Sequence, residues 1–182
     1  MIKLTTVRDE TLKELTRALQ EVKPTGRKGD ILKQGIIGEA IAFEMLWHEY
    51  DGDVQMTEDW WDSEKDGTVQ GQTYEVKTIF PFMKERVYSI EASQERKITS
   101  VDRLIIVRVP ASDQSTIRVY EVPQDQRRMF QLKETAYGSV LNYSFTQVQQ
   151  YGILDNSTIA KVLTSFHPTA KNWNALPSLL RS

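Results

Sequence analysis

Residues Asp66 to Lys77 read Asp-Gly-Thr-Val-Gln-Gly-Gln-Thr-Tyr-Glu-Val-Lys, a stretch with few ways to fold. Gln70-Gly71 suits a tight two-residue turn, because Gly tolerates positive φ. With those two residues at the turn, Val69 faces Gln72 and, three steps further out, Asp66 faces Glu75. Side chains alternate along a strand, so Lys77 shares a face with Glu75. Opposed carboxylates about 5 Å apart repel, and such pairs destabilise a sheet. A divalent cation would turn that repulsion into a binding site. Sliding the turn by one residue sets Asp66 opposite Lys77 instead, and the charged cluster survives.

The chain carries its own controls for the Glu-x-Lys tripeptide. It recurs at Glu21-Val22-Lys23, which ends an amphipathic helix before Pro24, and at Glu95-Arg96-Lys97, in a polar segment predicted as helix. Residues i and i+2 do not share a helix face, so neither copy makes a carboxylate–ammonium pair of its own. Only the copy at Glu75 has an upstream Asp across a turn.

A second anomaly lies between Asp30 and Tyr50. Asp30 is a good N-cap, and helical periodicity follows it. Leu32, Ile36, Phe43 and Leu46 fall on one stripe, with Gly35 and Ala42 as small spacers. Glu39 sits in the middle of that stripe. A carboxylate on an apolar face is costly unless it is paired or binds metal. The structural alternative is a Glu39 that snorkels to the rim or pairs with an Arg or Lys.

Glu39 on a first core helix, then Asp66, then Glu75-Val76-Lys77 on the next strand, resembles the PD-(D/E)xK nuclease superfamily. The resemblance covers roughly residues 30–109. Gly35-Ile36-Ile37-Gly38-Glu39-Ala40 is similar to the helix motif around that family's accessory acid. Ser93-Gln94, after the strand-like Val87-Tyr88-Ser89-Ile90-Glu91-Ala92, is similar to its polar helix behind the catalytic strands. The chain departs from the first motif in having Lys65, not Pro, before Asp66. The resemblance implies an α/β (α+β) fold with a restriction-endonuclease-like core, a central mixed β-sheet flanked by helices in the order αβββαβ. It implies a magnesium-dependent deoxyribonuclease, an endonuclease by preference, in which Mn²⁺ substitutes for Mg²⁺. Asp66, Glu75 and the Val76 carbonyl would be the metal ligands, Lys77 would assist the chemistry, and Glu39 and Gln94 would support it. DNA is the implied partner, and a homodimer is compatible with the family.

Composition sets the remaining bounds. At 182 residues the chain suits one domain, with a core over about 30–122 and a helix-and-strand extension over 123–182. Its 40% hydrophobic and 26% charged content is ordinary for a globular protein. It has no cysteine, which excludes disulfides and thiolate metal sites. The first residues have no apolar signal core and no run approaches a membrane span, so a cytoplasmic protein without membrane association is expected.

The net charge of −2 is unevenly spread. Residues 49–66 hold eight acids against Lys65, a local −7 that leaves +5 for the rest. Lys23, Arg27, Lys28 and Lys33 against Asp30 form a basic stretch ahead of the Glu39 helix. Residues 24–29 read as a loop that grips phosphate through side chains and backbone N–H groups, Arg27, Lys28 and Lys33 being the nucleic-acid contacts. A solvated basic loop is the alternative.

The remaining elements follow from periodicity: a helix over 9–22, the helix over 31–49, strands over 53–57, 87–92, 104–109 and 116–122, and a helix over 94–99. Beyond them come a helix near 124–131, a strand near 139–143, and helices near 146–151 and 156–165. His48 and His167 lack metal-ligand spacing. Arg127-Arg128 and Lys133 form a secondary basic edge or a solvated face. No Walker loop, dinucleotide fingerprint or Gly-x-Ser-x-Gly elbow is present. The competing function is a catalytically inactive nucleic-acid-binding or assembly protein that uses the charged cluster structurally. Restriction, junction-resolving and phage or repair roles are not separable at this level.

Overall fold

The computed structural model describes residues 1–57, 65–79, 87–91, 94–108, 116–129, 131–135, 138–144 and 149–155. Strand β1 (Ile2–Leu4) is followed by helix α1 (Asp9–Glu21) and the long helix α2 (Gly26–Glu49). Strands β2 (Val54–Met56), β3 (Gly67–Val69) and β4 (Gln72–Ile79) come next, then β5 (Val87–Glu91), the short helix α3 (Glu95–Ser100), β6 (Arg103–Arg108) and β7 (Thr116–Val122). A 3-10 helix over Gln124–Met129 leads to β8 (Gln131–Thr135), β9 (Gly138–Ser144) and β10 (Gln149–Asp155). The result is a mixed α+β architecture with a seven-stranded sheet in the order β1-β10-β7-β6-β4-β3-β2 and a separate three-stranded sheet, β5-β9-β8. In the large sheet β1 runs parallel to β10 and β4 parallel to β6; the other neighbours are antiparallel. Among the described residues no helix is long and apolar enough to cross a membrane.

Gln70 and Gly71 turn the β3–β4 hairpin at φ 48° and 77°, the two left-handed positions that a type I′ turn requires. The register is Val69 opposite Gln72 and Gly67 opposite Tyr74, so the first of the two expected registers holds. Tyr74 and Val76 point toward α2 and join Ile37, Ile41, Met45, Ile105, Val107, Ile117 and Val119 in one core. Each such Ile or Leu, removed from water, contributes about 1.5–3 kcal/mol. Helix α2 lies so close to β4 that a Cβ on Gly38 would fall 1.6 Å from Thr78 Oγ1. The other face carries Glu75, Lys77, Leu104 and Ile106, alternating with the first set along their strands.

Both sides of α2 are engaged, and the apolar stripe read from sequence is displaced. Ile37, Ala40, Ile41, Ala42, Met45 and Leu46 are its buried apolar residues, while Leu32, Ile36 and Phe43 are only partly covered. Glu44, which the periodicity does not single out, is completely buried. Arg8 donates to it through its backbone N–H at 2.9 Å and its guanidinium at 3.1–3.2 Å, and the Thr11 hydroxyl donates at 2.6 Å. His48 Nε2 lies 3.1 Å from the same carboxylate. Burial pushes the Glu44 carboxyl up, but the Thr11 and Arg8 hydrogen bonds outweigh it and hold it below the usual range. Arg8 also stacks over Trp47, 3.7 Å from the ring centroid. This network pins α1 onto α2.

Several local expectations are corrected. Helix α2 begins at Gly26, with Thr25 extended at its N-cap, so Asp30 lies within the helix and residues 26–29 are its first turn, not a loop. Of the segment predicted as a helix over 146–151, residues 149–151 lie in strand β10, because Gln149–Asp155 fills the gap between β1 and β7, and residues 146–148 lie outside the described residues. Strand β1 and strand β8 were not anticipated. The predicted helix near 124–131 is a 3-10 helix over Gln124–Met129. Arg127 belongs to neither a basic edge nor a solvated face: it is 3% exposed and donates to the carbonyls of Ile98, Val101 and Asp102. It caps the C-terminal end of α3. The helix predicted near 156–165, His167 and Ser93 lie outside the described residues.

Candidate functional site

Pairing between β3 and β4 ends at Gly67 and Tyr74. Among the described residues, Glu75–Ile79 therefore pair on one side only, with β6. The free flank of β4 is a notch, and the charged residues gather around it. Asp66 closes its upper end: its N–H donates to the Tyr74 carbonyl at 2.9 Å, and its Oδ2 accepts the Val76 N–H at 2.7 Å. In extended backbone a residue's carbonyl points to the same side as its N–H, so the Val76 carbonyl opens onto the same notch.

Glu75 is 1% exposed and takes an ammonium on each oxygen. Lys77 Nζ donates to Oε1 at 2.5 Å and to Gln94 Oε1 at 3.3 Å. Lys97 Nζ sits 2.9 Å from Oε2, an ion-pair contact without hydrogen-bond alignment, and 3.2 Å from Asp66 Oδ1. Burial, then the Asp66 charge, pushes the Glu75 carboxyl above its ordinary value against the pull of the two lysines. Burial lowers the Lys97 ammonium, but Asp66 and Glu75 more than offset it and hold it above the lysine range.

Helix α3 delivers Gln94 and Lys97, one turn apart and therefore on one face. Its placement is fixed at both ends of the crossover. Arg127 caps it from below, and Asp102, just after it, accepts from the Thr73 N–H at 2.7 Å and hydroxyl at 2.9 Å at the start of β4. Those Thr73 bonds hold the Asp102 carboxyl below its ordinary value.

Glu39 approaches from the α2 side. Burial above all, and then the charges of Asp66 and Glu75, raise its carboxyl to about 8, with Lys97 and Lys77 opposing. Its carboxyl thus shares the field of the cluster, although Glu75 and Lys77 point to the opposite face of β4. The Tyr74 hydroxyl is in the same field: burial, then Asp66 and Glu39, push it up. It is buried without a hydrogen-bond partner among the described residues, in space that exists because residue 67 is glycine; a Cβ there would lie 2.4 Å from it.

Of the residues singled out in the sequence, Asp66, Glu75, Val76, Lys77 and Gln94 meet at the notch, and Glu39 couples to them electrostatically. Arg27, Lys28 and Lys33 do not join them. They occupy the first turns of α2, between about 9 and 18 Å from Glu39 along the helix axis. A groove of about 560 Å³ between α1 and α2, lined by Lys23, Pro24, Ile31, Ile36 and Glu39 among others, leads from that end toward Glu39. Sequence reasoning missed Lys97, because the 95–97 tripeptide was weighed for an internal pair. The readable signal was the spacing of Gln94 and Lys97.

Among the described residues no group of three or more His, Asp or Glu side chains is placed to hold a metal ion. What the notch offers is two carboxylates and a main-chain carbonyl, with a lysine ammonium between the carboxylates. Those are hard oxygen donors converging on a cation, so the donor set fits a divalent ion of the Mg²⁺ type with water completing its coordination. Compared with known proteins, the chain matches no family model and no curated sequence.

Proposed function

We propose that this chain is a metal-dependent nuclease that hydrolyses DNA phosphodiester bonds on a restriction-endonuclease-like core. The observation that carries the reading is the meeting of Asp66, Glu75 and Lys77 beside the flank of β4 that is unpaired among the described residues. With β5 set aside in the smaller sheet, the order α2-β2-β3-β4-α3-β6, with β2, β3 and β4 antiparallel in turn and β6 parallel to β4, supports it as an αβββαβ arrangement interrupted by one strand.

Asp66, Glu75 and the Val76 carbonyl would hold Mg²⁺, or Mn²⁺ in its place. When bound, the ion supplies a Lewis acid that polarises the phosphoryl oxygen and acidifies water. Hydrolysis adds water across one P–O ester bond, so negative charge develops on the phosphoryl oxygens and the departing alkoxide receives a proton. Lys77, held by Glu75 and Gln94, brings a fixed positive charge to that position and orients the attacking water. Glu39, with its carboxyl raised to about 8, carries a proton at neutral pH and holds water by hydrogen bonding. Arg27, Lys28 and Lys33 would contact the DNA backbone from the start of α2.

One observation favours a second reading. Both acids of the notch are already neutralised by Lys77 and Lys97, as in a structural ion-pair cluster. On that reading the protein is a catalytically inactive nucleic-acid-binding or assembly protein with the same architecture. Incubation with linear, circular, branched and single-stranded DNA separates the two. The nuclease cuts at least one of these with Mg²⁺ or Mn²⁺, and Asp66→Ala abolishes both cleavage and calorimetric Mn²⁺ binding. Absence of cleavage with either ion gives the second reading.

A further inference from the structure

The lysine between the two carboxylates does not belong to the β3–β4 hairpin that positions them. Lys77 lies on β4 next to its own partner, Glu75, and keeps Oε1. Lys97 comes from α3 on a flexible four-carbon stem and joins the other Glu75 oxygen, Oε2, to Asp66 Oδ1. One compact cation thus spans the two acids that would ligate a metal. A Mg²⁺ ion takes carboxylate oxygens at about 2.0–2.1 Å. Bound to those same two oxygens, it would sit within roughly 3–4 Å of the Lys97 ammonium, a like-charge contact that a partly buried site does not tolerate. The two cations exclude each other.

We propose that Lys97 is the internal counter-ion of the site. It holds Asp66 and Glu75 together in the metal-free protein, and a divalent cation binds only by displacing it. The inference rests on the metal-dependent reading above. It has two consequences. The acids are preassembled without metal, since the ammonium cancels the repulsion that two buried carboxylates would otherwise suffer. Metal affinity is reduced, since each binding event must first break the ion pairs of Lys97.

Calorimetric titration with Mn²⁺ alone tests this on the wild type, Lys97→Met and Lys97→Arg. Removing the ammonium should tighten Mn²⁺ binding about tenfold or more, whereas Lys97→Arg, which keeps the charge, should bind no more tightly than the wild type. Binding by Lys97→Met where the wild type binds none supports the inference equally. Binding in Lys97→Met that is equal to or weaker than wild type overturns the inference and leaves the metal site standing. Failure of both proteins to bind Mn²⁺ overturns the metal reading together with the inference. A measurement on the unmodified protein covers the case in which Lys97→Met does not fold. The Lys97 ammonium resonance should shift in a saturable way on titration with diamagnetic Mg²⁺. A resonance unmoved at saturating Mg²⁺ overturns the displacement.

Discussion

Lys77 and Glu95 illustrate how the same tripeptide acquires different weight from its surroundings. Lys77 donates to Glu75 and Gln94 in the notch, whereas Glu95 is an exposed residue at the start of α3. Lys77→Ala should lower Mg²⁺-dependent cleavage by about 100-fold or more while Mn²⁺ and DNA binding persist, the loss of one transition-state donor. Glu95→Ala should cleave at the wild-type rate. Intact cleavage in Lys77→Ala would place the chemistry elsewhere. Glu39 makes a prediction about pH. In the folded protein its carboxyl keeps its proton up to about 8, whereas its ordinary value is 4.5. The folded state therefore binds more protons than the unfolded state between those values, and stability falls as pH rises through that window. Below it the penalty is absent. Glu39→Gln should remove the decline, so urea unfolding from pH 5 to 9 should give a flatter profile for the variant. Parallel profiles would mean that Glu39 does not titrate there.

Helix α2 and strand β4 meet through Gly38 and Thr78, and that contact sets the height of Glu39 over the notch. A methyl group at residue 38 would overlap the Thr78 side chain, including its Cβ at 2.7 Å, which cannot rotate away. Gly38→Ala should therefore lift the helix from the sheet and cost about 1–3 kcal/mol in chemical denaturation. Adding Thr78→Ala, which removes the Oγ1 and Cγ2 contacts but leaves Cβ, should recover part of that loss. Additive costs in the double variant would show that the two positions do not touch. Much at this level was readable. The hairpin turn, its register, strand β7 and the span of α1 follow from local chemistry, because a Gln-Gly turn and an alternating pattern carry their own geometry. The start of α2 was misplaced because Asp30 resembles a cap, yet Gly26–Gly29 continue the helix upstream to Thr25.

Charge is divided across the whole chain. The acids concentrate in residues 49–66, and the start of α2 has Arg27 and Lys28 but no acid in its first turn. If DNA phosphate lies against that end, Arg27→Ala/Lys28→Ala should weaken binding for all sequences alike. The slope of log affinity against log salt should fall by about 2, close to one counterion for each lost phosphate contact. Filter binding between low and moderate salt checks this, and an unchanged slope would remove α2 from the interface. The β10 segment also acts at this level. It separates β1 from β7 in the large sheet, so residues near both ends of the described chain complete the layer that carries β4 and β6.

Local pattern was enough for the β3–β4 hairpin, the sharing of a face by Glu75 and Lys77, and the approach of Asp66 to Glu75, since strand alternation and a two-residue turn leave little freedom. It was also enough to mark Glu39 as an acid in apolar company. It was silent on contacts between residues far apart in the chain. Glu44 is buried because Arg8 and Thr11 reach it from α1, and Arg127 is buried because α3 offers three carbonyls to one guanidinium. Residues 149–151, read locally as the end of a helix, belong to strand β10 because two sheet edges required pairing. Lys97 entered the site for the same kind of reason. Asp66 and Glu75 are both distant from it in sequence, and the crossover from β4 through α3 to β6 sets its ammonium between them.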